Sequence, residues 1–336
     1  MEVDTMDRIA FIMGELFIYW NSIILTLAVA GAICLFLAFY LNKSGNAVAG
    51  FAVVPVGMVL SLLLARFIHW YCRADSYNGF LDAMTNYSSG GFALMGVVFG
   101  CILAAVITRL LRLQKNLPEM LDCMCIAGAA GIAVGRLASF FNASDRGQIV
   151  ESIKSLPFVY PVTNAVSGAL EYRLATFMIQ AMVALVLFIA LAVFYLKNKH
   201  YKLRDGDVTL IFLLVYGASQ VVLDSTRYDS LFFRSNGFVS IVQVLGALAI
   251  GFPIILFSVR LVLRRGWKNW YPVLWLVTAA LLGLGGYMEY HVQRHAAQAV
   301  FAYSVMTACL IGLVAMGVLI RALASVKNKT GKISRT

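Results

Sequence analysis

The chain has 336 residues, 61% of them hydrophobic and 13% charged, with 27 Lys and Arg against 16 Asp and Glu. A mean hydropathy of +0.83 excludes an ordinary soluble domain. The net charge of +11 is no sign of nucleic-acid binding, because the basic excess falls in the short segments between apolar runs.

A helix needs about 20 apolar residues to cross the hydrocarbon layer. Runs of that order follow one another at 18–41, 49–72, 90–113, 119–141, 173–196, 207–226, 238–263, 270–292 and 297–321. They are continuous rather than alternating, which argues against a β-barrel. The expected fold is all-α: a polytopic membrane protein of about nine transmembrane helices. The opening "MEVDTMDRIAFIMGELF" is acidic before the first span and does not read as a cleavable signal peptide. With the N-terminus outside, the cytoplasmic segments hold Lys43; Arg109, Arg112 and Lys115; Lys197, Lys199, Lys202 and Arg204; Arg260, Arg264, Arg265 and Lys268; and Arg321, Lys327, Lys329, Lys332 and Arg335. These are 17 of the 27 basic residues, and they share those segments with only Glu119, Asp122, Asp205 and Asp207. The C-terminus is therefore expected inside.

Two outer connections are long. One is 73–89; the other, 142–172, contains "SLPFVYPVTN" and reads as a folded outer element or lid. "RRGWKN" at 264–269 marks a boundary between a seven-helix core, 1–263, and a two-helix appendage, 264–321, followed by a basic cytoplasmic tail, 322–336, suited to anionic lipid. Cys34, Cys72, Cys101, Cys123, Cys125 and Cys309 lie mostly within spans and read as small buried hydrophobes. No metal site is visible around "CMC" at Cys123.

Ionisable groups inside spans are functional candidates. Arg66 and His69 lie near the outer end of span two, and Arg136 and Asn142 at the outer end of span four. Gln220, Asp224 and Arg227 close span six on one helical stripe continuing from Tyr216. Gly131 and Gly135 form a GxxxG pair just before Arg136. Each group has a plainer reading: arginines near helix ends snorkel, Asp224 and Arg227 make a structural clasp, and His69 beside Trp70 and Tyr71 makes an interfacial anchor. Convergence of three spans at one depth favours a site.

These residues resemble the prolipoprotein diacylglyceryl transferase family of bacterial inner membranes. Its hallmark, G-R-x-[G/A]-N-F-x-N-x-E-x-x-G, is matched by Gly135, Arg136, Ala138, Phe140, Asn142 and Gly147, with Ser139 at the Asn position and Ser144 at the Glu position. A second element, G-G-M-S-F-H-G-G-x-x-G, is similar to Gly90 through Gly100, with Met95 at the His position. A third, Y-G-x-x-R-F-x-x-E-x-x-R, is similar to Tyr216 through Arg227, with Gln220 replacing an Arg and Asp224 a Glu. "LPEMLD" before span four, Arg66 and "RLATFMIQA" also fit the family's order. The resemblance covers about residues 15–262, and the last two spans have no counterpart in it.

The resemblance implies transfer of a diacylglyceryl group from phosphatidylglycerol to the lipobox cysteine thiol of an exported prolipoprotein, at the outer leaflet, with glycerol phosphate leaving. Phosphatidylglycerol and the lipobox peptide are the expected partners, membrane lipid surrounds the chain, and no cofactor, metal or nucleic acid is implied. Arg136 and Arg227, supported by Arg66, suit the phosphate; Asn142 suits an ester or glycerol oxygen. With Met95 in place of the imidazole, Asp224 or His69 is left as the base. Glu289 and His291, in "GGYMEYHVQRH" at the outer end of span eight, are accessory candidates beside the plain reading of a polar turn. The alternative is a catalytically inactive relative that binds anionic phospholipid or lipoprotein precursors. A transporter is disfavoured by the lack of repeated broken helices.

Overall fold

The computed structural model describes residues 9–86, 91–141, 147–150, 157–163, 167–198, 204–228, 230–233, 236–294 and 298–325. A hairpin of β1 (Ile9–Met13) and β2 (Leu16–Tyr19) leads into α1 (Trp20–Ser44) and α2 (Ala47–Cys72). The short α3 (Phe80–Thr85) precedes α4 (Leu94–Leu110) and α5 (Leu117–Leu137). A second hairpin, β3 (Val159–Thr163) with β4 (Leu170–Leu174), leads to α6 (Thr176–Asn198) and α7 (Asp207–Ser225). A third, β5 (Phe232–Phe233) with β6 (Asn236–Ser240), leads to α8 (Ile241–Arg265), α9 (Tyr271–Arg294) and α10 (Ala299–Ser325).

Eight of these helices have the length and apolarity of membrane spans, and the protein is a multi-pass helical membrane protein. The third expected span is shorter than its apolar run. At 17 residues, α4 rises about 25 Å, less than the hydrocarbon thickness of about 30 Å. Its entry stays extended: Gly91 has φ +86°, and Ala93 N–H donates to the Ala65 carbonyl. The hairpins β1–β2 and β5–β6 were not expected, because their strands adjoin apolar spans in sequence; β3–β4 falls largely in the long connection 142–172 that was read as a folded element.

The chain packs as two compact units. The first comprises the chain up to Phe212 together with Leu223–Val242. Within it α2 and α4 are in backbone contact. A Cβ on Gly96 would sit 2.3 Å from Ala65 Cα, and one on Gly100 2.4 Å from Ser61 Cα. Such contact lets dispersion and weak hydrogen bonds act where lipid supplies no hydrophobic drive. The expected GxxxG contact is also present, since Gly131 faces Ala32 of α1.

The unit is tied by polar groups where α5 and α7 begin. Asp122 of α5 is fully buried and caps the start of α7, accepting from Gly206 N–H, Thr209 N–H and the Thr209 hydroxyl. This satisfies donors that a helix start otherwise leaves open. Nearby, Asp205 accepts from Lys43 and Asn116, each at 2.6 Å. Burial alone would raise its carboxyl, but those hydrogen bonds outweigh it and hold Asp205 below the usual carboxylate range.

The second unit comprises Leu213–Val222 and the chain from Gln243 onward. The middle of α7 meets α8 at Gly217 and Gly246, where either Cβ would come within 2.8 Å of the facing helix. Trp275 of α9 donates its indole N–H to the Ser258 hydroxyl of α8, 3.0 Å away. Near the far end, the Arg264 guanidinium donates to the Ala324 carbonyl of α10 at 3.2 Å.

The Gly96 contact gives a stability prediction. Gly96→Ala must separate two helix backbones, an overpacking cost of about 1–3 kcal/mol, so its thermal midpoint in detergent should fall. Gly128, on α5, has nothing within 4 Å of an added Cβ, so Gly128→Ala should match or exceed the parent. Equal midpoints for the two variants would contradict the α2–α4 contact.

Candidate functional site

The end of the first unit where α5 and α7 finish gathers three of the expected residues. Asp224, on the last turn of α7, is 2% exposed. Its Oδ2 accepts from the Ser240 hydroxyl at 2.5 Å, within the range of a charge-assisted bond. The Asp224 carbonyl accepts from Ser230 Oγ at 2.7 Å and from Arg227 N–H at 3.1 Å. The charges of Arg227 and, more weakly, Arg136 both act on the carboxylate. A buried carboxylate thus stands at the end of α7, with half-buried Arg227 just beyond it and half-buried Arg136 in the last turn of α5.

A strip of four residues brings these ends together. Gly147 N–H donates to the Leu174 carbonyl at 3.0 Å, and Leu174 N–H returns to the Gln148 carbonyl at 3.1 Å. Gln148 N–H donates to the Thr226 carbonyl at 2.9 Å, and its side-chain amide to the Ser225 carbonyl at 3.0 Å. Val150 N–H donates to Tyr172 at 2.8 Å. Gly147 is bridged to Arg227, and Ile149 to Arg173. The strip therefore pairs with β4 along one edge and with the end of α7 along the other. Gly147 has no room for a side chain: a Cβ would sit 2.3 Å from the Leu174 carbonyl oxygen and 2.7 Å from Thr176 Oγ1. Thr176 and Thr226 meet hydroxyl to hydroxyl at 3.1 Å beneath it.

Arg66, expected at a phosphate, has its guanidinium on backbone carbonyls. Fully buried, it donates to Ala83, Asn86 and Gly91, and lies over the rings of Tyr77 and Phe92 at 4.9 and 5.5 Å. Its contacts fasten the connection that runs from α2 to α4. His69, one turn further along α2, is held by the same connection. Its Nδ1 lies 2.8 Å from the Tyr77 hydroxyl, and its ring fills the space where a Gly91 side chain would go.

Other expected residues are placed elsewhere. Asn142 and Ser144 lie outside the described residues. Met95 is half-buried on α4, and Ser139 is buried in the short 3-10 turn after α5. Gln220, Glu289 and His291 belong to the second unit. There Glu289 is buried on α9, and His291 Nε2 of the same helix pairs with Gln298 Oε1, just before α10, at 3.0 Å. Ser240, Ser230 and Thr226 were not singled out in the sequence. Serine and threonine beside a span carry no distinctive signal, and Ser240 reaches Asp224 only because β5 and β6 fold back.

Comparison with known proteins places this geometry in context. A family model described as prolipoprotein diacylglyceryl transferase matches residues 8–259. A protein of Clostridium kluyveri named phosphatidylglycerol–prolipoprotein diacylglyceryl transferase is 26% identical over 244 residues, covering 72% of this chain and 92% of the relative. One of the same name from Streptococcus pneumoniae is 26% identical over 260 residues, covering 76% and 95%. The matched family region ends within α8, so α9 and α10 lie beyond it.

The contacts of Arg66 and Gly147 predict stability effects. Arg66→Ala leaves buried carbonyls without their charged donor, and hydrogen bonds to charged groups contribute about 1.5–3 kcal/mol each. Gly147→Val forces the strip off β4. Both variants should lower the thermal midpoint well below that of Arg136→Ala, whose side chain is half-buried at a helix end. Arg66→Ala melting with the parent would show that its carbonyl contacts do not hold the connection.

Proposed function

The chain belongs to the prolipoprotein diacylglyceryl transferase family, and from that premise we propose that it transfers a diacylglyceryl group from phosphatidylglycerol to the lipobox cysteine thiol of an exported prolipoprotein. The reaction would take place at the outer leaflet of a bacterial cytoplasmic membrane, with the N-terminus outside and the C-terminus inside. The observation that carries this reading is the buried Asp224 at the end of α7, bonded to Ser240, with Arg227 fixed beside it by its backbone bond to Asp224 and its bridge to Gly147.

In this reading the two guanidinium forks take the headgroup phosphate, whose oxygens match their paired donors. The thiolate sulfur forms a bond to the glyceryl carbon as the carbon–oxygen bond to phosphate breaks. Glycerol phosphate departs with its added charge opposite the arginines. Asp224, bonded through one oxygen to Ser240, accepts the thiol proton. His69, oriented by Tyr77, is the second candidate for that role. Asn142 would position a glycerol or ester oxygen. We assign Arg66 to positioning, because its guanidinium is on the carbonyls of Ala83, Asn86 and Gly91. Glu289 and His291, near the end of α9, we assign to the structure of the second unit and not to the transfer.

A second reading, a non-catalytic lipid- or precursor-binding relative, draws its support from Met95, Ser139, Ser144 and Gln220 at positions where the family carries other polar groups. One experiment separates the two. In a bacterium depleted of its own transferase, this chain should restore lipoprotein modification. Arg136→Ala should not, because losing one partner of a desolvated charge contact costs about 2–5 kcal/mol; Arg109→Ala, near the opposite end of a span, should restore it. Phosphatidylglycerol binding without rescue by the parent chain would establish the second reading instead.

A further inference from the structure

The second unit carries a groove that the transfer chemistry does not use. It lies between α8 and α9 and encloses about 500 Å³, within the roughly 300–1,000 Å³ of small-ligand sites. Its walls include Gly251, Ile255, Val259 and Leu263 on α8, and Trp275 and Leu282 on α9. The α8 residues recur every four positions, so they form one helical face. The polar atoms along the groove are already engaged: the Trp275 indole bonds Ser258, and the Thr278 hydroxyl bonds the Leu274 carbonyl at 2.8 Å. The interior therefore offers an occupant only apolar contact.

Charge is confined to one end. There α8 finishes with Arg264 and Arg265, and Lys268 follows. Arg264 and Lys268 are exposed, and the N-terminus of α9 at Tyr271 adds its positive dipole end. Trp267 lies 5.6 Å from Trp275, ring to ring, beside the same end, where an amphipathic ring suits the headgroup level. An apolar slot with a cationic collar at one end matches an amphiphile. A second transmembrane helix would have no use for the collar.

We propose that this groove is a binding site for one acyl chain of an anionic phospholipid in the cytoplasmic leaflet, its headgroup held by Arg264 and Lys268. The leaflet follows from taking the cation-rich end of α8 as cytoplasmic. Because α9 lies outside the family region, this site is an addition to the family fold, separate from the headgroup site proposed around Arg136.

The test is native mass spectrometry of the full chain, delipidated in detergent and titrated with phosphatidylglycerol or with phosphatidylcholine of the same chains. Using the Arg136→Ala, Arg227→Ala background keeps binding at the outer site out of the count, and reading binding rather than transfer makes the result independent of catalysis. Expected is one retained phosphatidylglycerol, held more tightly than phosphatidylcholine. Each cation near an anionic lipid surface contributes about 1 kcal/mol, roughly fivefold. Arg264→Gln with Lys268→Gln should therefore weaken phosphatidylglycerol by about 25-fold and abolish the headgroup preference. Gly251→Phe, starting from a Cβ with nothing within 4 Å, should fill the groove and remove the retained lipid at an unchanged thermal midpoint. Retention undiminished in Gly251→Phe, equal binding of the two lipids by the parent, or a photo-crosslinker at Ile255 that captures polypeptide rather than lipid would overturn the proposal.

Discussion

The hydrogen-bonded strip Gly147–Val150 is the constraint on which the candidate site depends. Irregular backbone at the edge of a membrane is tolerated only where its polar groups find partners within the protein. Here the strip bonds to β4 on one side and to the end of α7 on the other. Arg227 thereby acquires a fixed backbone position next to Asp224, while α5 delivers Arg136. Gly147 is the residue that permits it, since a side chain would collide with the Leu174 carbonyl. The last glycine of the sequence motif is thus explained by packing rather than by chemistry.

The same helix is fixed at its other end. Asp122 caps the start of α7, and Lys43, Asn116 and Asp205 tie the neighbouring helix ends together. With both ends of α7 bonded into the first unit, the position of Asp224 follows from covalent helix geometry. The connection between α2 and α4 has its own anchor in Arg66. A charge buried in a membrane protein is costly unless paired or multiply hydrogen-bonded, and three carbonyls with two aromatic faces meet that requirement.

Helix existence was legible from the sequence because a bilayer demands long uninterrupted apolar runs. The long helices fall within a few residues of those runs, α4 being shorter than its run, while the short α3 lies in the connection before it. Local strand geometry was not legible. In "RIAFIMGELFIYW" the apolar strands of β1 and β2 run into α1 with no change of composition, so periodicity could not separate them. The motif residues Arg136, Asp224 and Arg227 stood out as ionisable groups at span ends. The role of Arg66 did not, because its partners are backbone carbonyls of the connection, invisible to any side-chain pattern. Ser240 was equally hidden, being brought to Asp224 by a hairpin turn.

The central claim is that Arg136 and Arg227 act on one phosphate. A double-mutant cycle on phosphatidylglycerol affinity tests this most directly, using Arg136→Ala, Arg227→Ala and the pair. Residues sharing a partner are non-additive, with interaction energies of about 0.5–3 kcal/mol. The account predicts a double variant whose affinity is much closer to the single variants than their summed losses require. Strict additivity of the two losses would contradict a shared headgroup.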